Sequence, residues 1–281
     1  MKKLLLLFLM FITVYSVDAQ INTPQLSPNS VIEQKVGLTD VTLKFSRPSM
    51  RGRTIFGDLV PYDKMWRTGA NKNTVITFGE DVEVAGKPVK AGSYAIFTKP
   101  GKDTWDVYLY ADTENWGTPK EWDDSKVVTM AQLPVVKMPM KIETFTMSFD
   151  DLKRNGAVLG IMWENVYIGL EFNVPTDETV IADIERVMGT PTANDYYSAA
   201  VYYAEAGKDI NKSKEWMEKA MSMIDNPRFW QLRQQSLIYA KAGDKKLAIE
   251  VAKKSLAEAL KAENDSYVKM NMDSLKEWGA M

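Results

Sequence analysis

The side chains best suited to chemistry are concentrated between Ser46 and Asn71, SRPSMRGRTIFGDLVPYDKMWRTGAN, which holds Arg47, Arg51, Arg53 and Arg67 with three glycines, two prolines and Trp66. Arginine carries a planar fork of donors suited to carboxylate or phosphate. Backbone N–H groups of the turn at Gly69 would add to it. Arg67 with Asn71, supported by Arg47, Arg51 or Arg53, therefore reads as a small-anion or glycan site. Its candidate ligand-binding residues are Arg47, Arg53, Trp66, Arg67 and Asn71. The same residues also read as a staple: an arginine among Trp66, Tyr62 and Asp58 would pair with a carboxylate, stack on a ring and fix a long excursion against a sheet.

Two further groups compete with this one. Trp105, Trp116, Trp122 and Tyr110 gather around one stretch of sequence, as a stacking platform for a flat ligand would, although tryptophans more commonly serve as core or rim residues. Asp123-Asp124 and Asp150-Asp151 are the obvious carboxylate pairs, but adjacent residues on a strand face opposite ways, and neither pair has the alternating spacing of a calcium loop. The chain contains no histidine and no cysteine. That excludes disulfides, thiolate nucleophiles, Ser-His-Asp and Cys-His catalysis, and the usual zinc ligand sets. No catalytic residue, metal site or cofactor is indicated.

The elements that must position these residues are strands. Val41, Leu43 and Phe45 alternate with Thr42 and Lys44, the period of a half-buried strand. Strand patterns recur at 74–78, 82–84, 93–98, 105–110, 126–130, 142–149, 157–163 and 167–174, punctuated by turn sequences such as Ala85-Gly86-Lys87-Pro88 and Lys99-Pro100-Gly101-Lys102-Asp103. About nine strands with no helical pattern among them predict an all-β antiparallel sandwich or flattened barrel over 38–174. The polar stretch 20–37 reads as an extended lead-in.

Pro175 and Thr176 mark a change of regime, and 176–281 is predicted to be all-α. Ala204-Glu205-Ala206-Gly207 matches Ala240-Lys241-Ala242-Gly243 at a spacing of 36 residues, close to the 34-residue period of tetratricopeptide repeats. Ser236, Tyr239, Gly243, Ala248, Ala252 and Ser255 fall where that repeat places its small residues, its tyrosine and its turn glycine. A short stack of about six helices is expected, with Met217, Met221 and Met223 filling its core beside Trp216. Stacks of this kind commonly hold a peptide, so an envelope protein or peptide is the expected partner of this half.

Residues 1–19 carry Lys2 and Lys3, an apolar run from Leu4 to Val17 and the small-residue pattern Val17-Asp18-Ala19, a signal peptide with the mature chain beginning at Gln20. About 14 apolar residues fall short of the roughly 20 a spanning helix needs. Export to the periplasm or the cell exterior is expected, without a membrane-spanning segment after cleavage. Cleavage would leave 33 basic against 36 acidic residues, a net charge near −3, which speaks against nucleic acid as a partner.

The motifs Ser46-Arg47-Pro48, Gly52-Arg53, Ile55-Phe56-Gly57, Leu59-Val60-Pro61-Tyr62, Trp66-Arg67-Thr68-Gly69-Ala70-Asn71 and Ala91-Gly92-Ser93-Tyr94, in that order, resemble the family called domain of unknown function 2911 over about residues 26–174. The chain departs from the pattern at Lys72-Asn73, where an acidic then a small residue is more usual. The resemblance implies an exported bacterial protein and a domain limit, and it brings no reaction with it. The expected function is that of a non-catalytic binding or assembly module of the cell envelope, the alternative being a small-anion or glycan-binding protein or enzyme with its site around Arg67 and Asn71.

Overall fold

The computed structural model describes residues 23–281, so the export signal read at 1–19 lies outside the described residues. The chain divides into two compact units, one ending at Val174 and the other running from Pro175 to Met281.

Ten strands are described in the first unit: β1 Asn29–Val36, β2 Thr39–Ser46, β3 Thr74–Phe78, β4 Val82–Val84, β5 Lys87–Val89, β6 Gly92–Pro100, β7 Thr104–Tyr110, β8 Val127–Pro134, β9 Val136–Lys153 and β10 Gly156–Asn173. They form two antiparallel sheets, ordered β1-β2-β3-β6-β7-β8 and β5-β4-β10-β9, neither of them closed. This is the sandwich that the alternation of apolar residues predicts. In β2, Val41, Leu43 and Phe45 are buried while Asp40 and Lys44 are exposed, and the inward side chains meet Ile76, Ile96, Trp105 and Leu109 of the same sheet and Phe145, Leu159, Ile168 and Phe172 of the other.

Three local readings change. The stretch 20–37, read as an extended lead-in, contains the edge strand β1, paired with β2 from Asn29↔Ser46 to Val36↔Thr39. The segments 157–163 and 167–174 join into one strand, β10, whose pairing with β9 slips on either side of Glu164. Glu164 has φ 54°, so a bulge bends the strand there without ending it. Lys87 and Pro88, read as part of a turn, belong to β5, the second arm of a hairpin with β4.

Between β2 and β3 the chain leaves the sheet for residues 47–73. It returns to the core through Met50, Ile55, Phe56 and Val60, all buried, and is fastened to β6 by reciprocal bonds between Trp66 and Thr98, 2.7 and 2.9 Å. Four of its non-glycine residues have positive φ: Arg51, Asp63, Thr68 and Asn71. Such backbone is costly, most of all for a β-branched threonine, and persists only where its surroundings hold it. Thr68 is fully buried, and its hydroxyl bonds Thr98 Oγ1 at 3.0 Å.

The second unit is helical, with α1 Thr176–Val187, α2 Ala193–Glu205, α3 Ile210–Ser222, α4 Phe229–Lys241, α5 Lys245–Lys261 and α6 Asp265–Glu277. The two matching Ala-X-Ala-Gly segments end α2 and α4, with Gly207 at φ 65° and Gly243 at φ 86°. Glycine adopts this left-handed closure without a Cβ penalty. Ala200, Ala220, Ala248, Ala252 and Ser255 are fully buried, which lets α2 approach α3 and α4 approach α5 closely. Met217 is fully buried and Met221 partly so, but Met223 is 47% exposed, because it lies just past the last turn of α3 as its C-cap residue.

Candidate functional site

The irregular segment after β2 builds one wall of a cavity of about 470 Å³ in the β unit. Four cationic side chains line it: Arg51, Arg53, Lys64 and Arg67. Among the described residues, no aspartate or glutamate does. Its apolar wall comes from Leu59, Val60, Pro61, Met65, Trp66 and Trp163, and the hydroxyl residues Ser27, Ser49 and Thr118 complete it.

Each arginine is held differently. Arg53 donates from Nε to Met50 O at 2.8 Å and from Nη2 to Ser49 O at 2.7 Å, so two backbone carbonyls fix its plane. Arg51 donates from Nη2 to Leu26 O at 3.0 Å, and its backbone N–H donates to Glu143 Oε1 at 2.8 Å. Arg67 is half-buried, and its Nε is shielded from solvent with no hydrogen-bond partner among the described residues. The staple reading required a carboxylate beside this guanidinium, and none is paired with it there. A buried donor without an acceptor is costly.

Trp66 supplies the floor. Its Nε1 donates to Gly69 O at 3.2 Å, and its ring lies nearly parallel to that of Trp163, with centroids 6.0 Å apart. Phe56, Trp105 and Phe145 meet it edge-on. Trp163 reaches the cavity because it adjoins the bulge at Glu164, and its Nε1 donates to Glu143 O at 3.1 Å.

The remaining wall is the loop that follows β7. Thr118 lines the cavity, and Gly117 lies directly against Arg67. The loop is anchored at its base, where Lys126 bonds Asp112 at 3.1 Å and holds that carboxyl below the ordinary aspartate range. It is anchored again near its tip by Asn73, which is buried. The Asn73 backbone N–H donates to Asn115 O, and its amide nitrogen, in the orientation its surroundings require, donates to Gly117 O at 2.9 Å and Asn115 O at 3.0 Å.

Of the five candidate residues, the cavity brings together Arg53, Trp66 and Arg67. Arg47 points elsewhere: its Nε donates to Phe145 O at 3.1 Å and its Nη2 to Thr146 Oγ1 at 2.8 Å, tying the irregular segment to β9. Asn71 donates to Ser27 O at 3.1 Å and Ser46 Oγ at 3.3 Å, a clamp on the backbone outside the cavity wall. Lys64, Trp163 and Thr118 were not read as site residues. Nothing in their local sequence sets them apart, whereas Arg51 shares the arginine cluster.

The four aromatics read as a platform are not assembled into one. Trp105 is fully buried in the main core, Trp122 covers Phe97 and Tyr110 on the outer side of β6 and β7, and Trp116 is 71% exposed. The aspartate pairs serve local structure. Asp123 accepts from Ser125, Asp124 accepts from Trp122 Nε1, and Asp150 accepts from Tyr167 OH. Among the described residues there is no cluster of three or more metal-ligating side chains, and no helix is long and apolar enough to cross a membrane.

Comparison with known families matches residues 27–172, half of the chain, to the family described as "Protein of unknown function (DUF2911)". Neither the curated proteins nor the solved structures yield a match.

Proposed function

The chain belongs to the DUF2911 family, and we propose that it is an exported, non-catalytic binding protein of the cell envelope whose β unit takes a small organic anion in the arginine-lined cavity. The observation that carries this reading is the charge of the lining: among the described residues the cavity's charged side chains, Arg51, Arg53, Lys64 and Arg67, are all cationic. Carboxylates and phosphates accept bidentate bonds from an arginine fork. Backbone carbonyls hold Arg53 in place beforehand, which lowers the ordering cost of binding.

The test is a thermal-shift screen of the mature protein against small carboxylates, phosphates, sulfates and matched neutral compounds, repeated with Arg67→Ala. Anions are expected to raise the melting temperature of the native protein and to lose that effect in the variant. Stabilisation by neutral compounds alone, or by anions equally in both proteins, would overturn the reading.

One observation favours a second binding role in the helical unit. A cleft of about 830 Å³ is lined by Tyr196, Tyr203 and Trp216 together with Lys212, Lys219, Glu185, Glu215 and Glu218. Aromatic floors with charges of both signs suit an extended peptide from an envelope partner. Site-specific photo-cross-linking from Tyr203 in cells is expected to capture one predominant protein, and the absence of any specific adduct would count against it.

A further inference from the structure

We propose that Trp116 is a specificity-determining residue of the cavity, and that the anion it admits is carried on a ring. This inference rests on the anion-binding reading of the same site and names its ligand class. Trp116 is the most exposed of the eight tryptophans, at 71%. Its backbone is nonetheless fixed. The carbonyls on either side of it, Asn115 O and Gly117 O, both accept from the Asn73 amide, and Asn73 is itself buried.

The loop thus holds the Trp116 backbone beside the cavity with its indole in water: the next residue, Gly117, lies against Arg67, and the one after it, Thr118, lines the cavity, while Trp116 is not itself among the lining side chains. Consecutive Cα atoms are about 3.8 Å apart, so the indole starts within one residue of the guanidinium contact. A bare ion seated on Arg67 would leave this indole unused. A ring attached to that ion extends outward past Gly117, where the indole can cover one of its faces, and stacking on an aromatic face tolerates either an aryl ring or the C–H face of a sugar. The apolar wall of Leu59, Pro61 and Met65 suits the same body.

The experiment measures inorganic phosphate, phenyl phosphate and glucose 6-phosphate by isothermal titration calorimetry against the native protein, Trp116→Ala and Trp116→Phe at constant ionic strength. At least one of the ring-bearing phosphates is expected to bind the native protein about tenfold more tightly than inorganic phosphate, a typical stacking advantage. That advantage is expected to vanish in W116A, with inorganic phosphate unaffected, and to persist largely in W116F. Which of the two wins distinguishes an aryl from a sugar ligand. Equal affinity for all three in the native protein, or an advantage that survives W116A, overturns the role of Trp116 while leaving the anion site standing. No binding of any of the three overturns both.

Discussion

A Cβ built on Gly117 would lie 2.8 Å from Nη1 of Arg67, closer than carbon atoms of this kind approach. The glycine and the arginine come from segments 50 residues apart in the chain, and the missing side chain at 117 leaves room for the guanidinium. Gly117 has φ 100°, so any other residue there is strained as well as crowded. Gly117→Ala is therefore expected to cost about 1 kcal/mol or more of stability and to weaken anion binding by displacing Arg67. Urea unfolding and calorimetry on the same variant check the two effects separately.

Arg47 and Arg67 should behave in opposite ways. Arg47→Ala removes two bonds that tie the irregular segment to β9, at about 1.5–3 kcal/mol for a hydrogen bond to a charged group. Arg67→Ala removes a guanidinium without a paired carboxylate among the described residues and is expected to change stability by less than about 1 kcal/mol. Denaturant titrations of the two variants side by side provide the comparison. A larger loss for Arg67→Ala would return that residue to a structural role.

Stability should fall in alkali. Burial first, and then the negative charge and hydrogen bonding of Asp150, push the Tyr167 phenol up to about 12, while burial, with Tyr267 and Glu205 nearby, pushes Tyr197 up to about 12. An unfolded chain releases these protons near pH 10. Between pH 10 and about 12 the native state therefore holds more protons than the unfolded one, and stability drops as pH rises through that window. Below pH 10 the contribution is fully present. Urea midpoints between pH 9 and 11.5 should decline less steeply in Tyr167→Phe than in the native protein.

Ala252 is fully buried in α5, where α4 packs closely. Ala252→Leu is expected to cost about 1–3 kcal/mol through overpacking, whereas Leu247→Ala, at an exposed position of the same helix, should change stability by no more than about 0.5 kcal/mol. Helical circular dichroism followed through thermal unfolding measures both.

Much of the architecture could be read from the chain. Alternation in β2 exposes Lys44 and buries Leu43 because a strand has a two-residue period, and Gly207 and Gly243 announce helix ends because the left-handed closure favours glycine. Those signals are local and periodic. The strand β1 and the continuity of β10 through Glu164 were not legible, since one depends on pairing with β2 and the other on a bulge tolerated by its partner strand.

What the sequence by itself determined about the site was its neighbourhood: a cluster of arginines on an irregular excursion between strands, without histidine or cysteine. Which arginines face the cavity was decided only in three dimensions. Residues 47–73 have no period, and Arg51, Asp63, Thr68 and Asn71 turn the backbone through positive φ, so side-chain direction cannot be counted off from one residue to the next. Arg47 turns to Phe145 and Thr146, and Arg67 to Gly117. Trp163 and Thr118 join the wall from distant strands and loops because the packing of two sheets, a non-local event, brings them there.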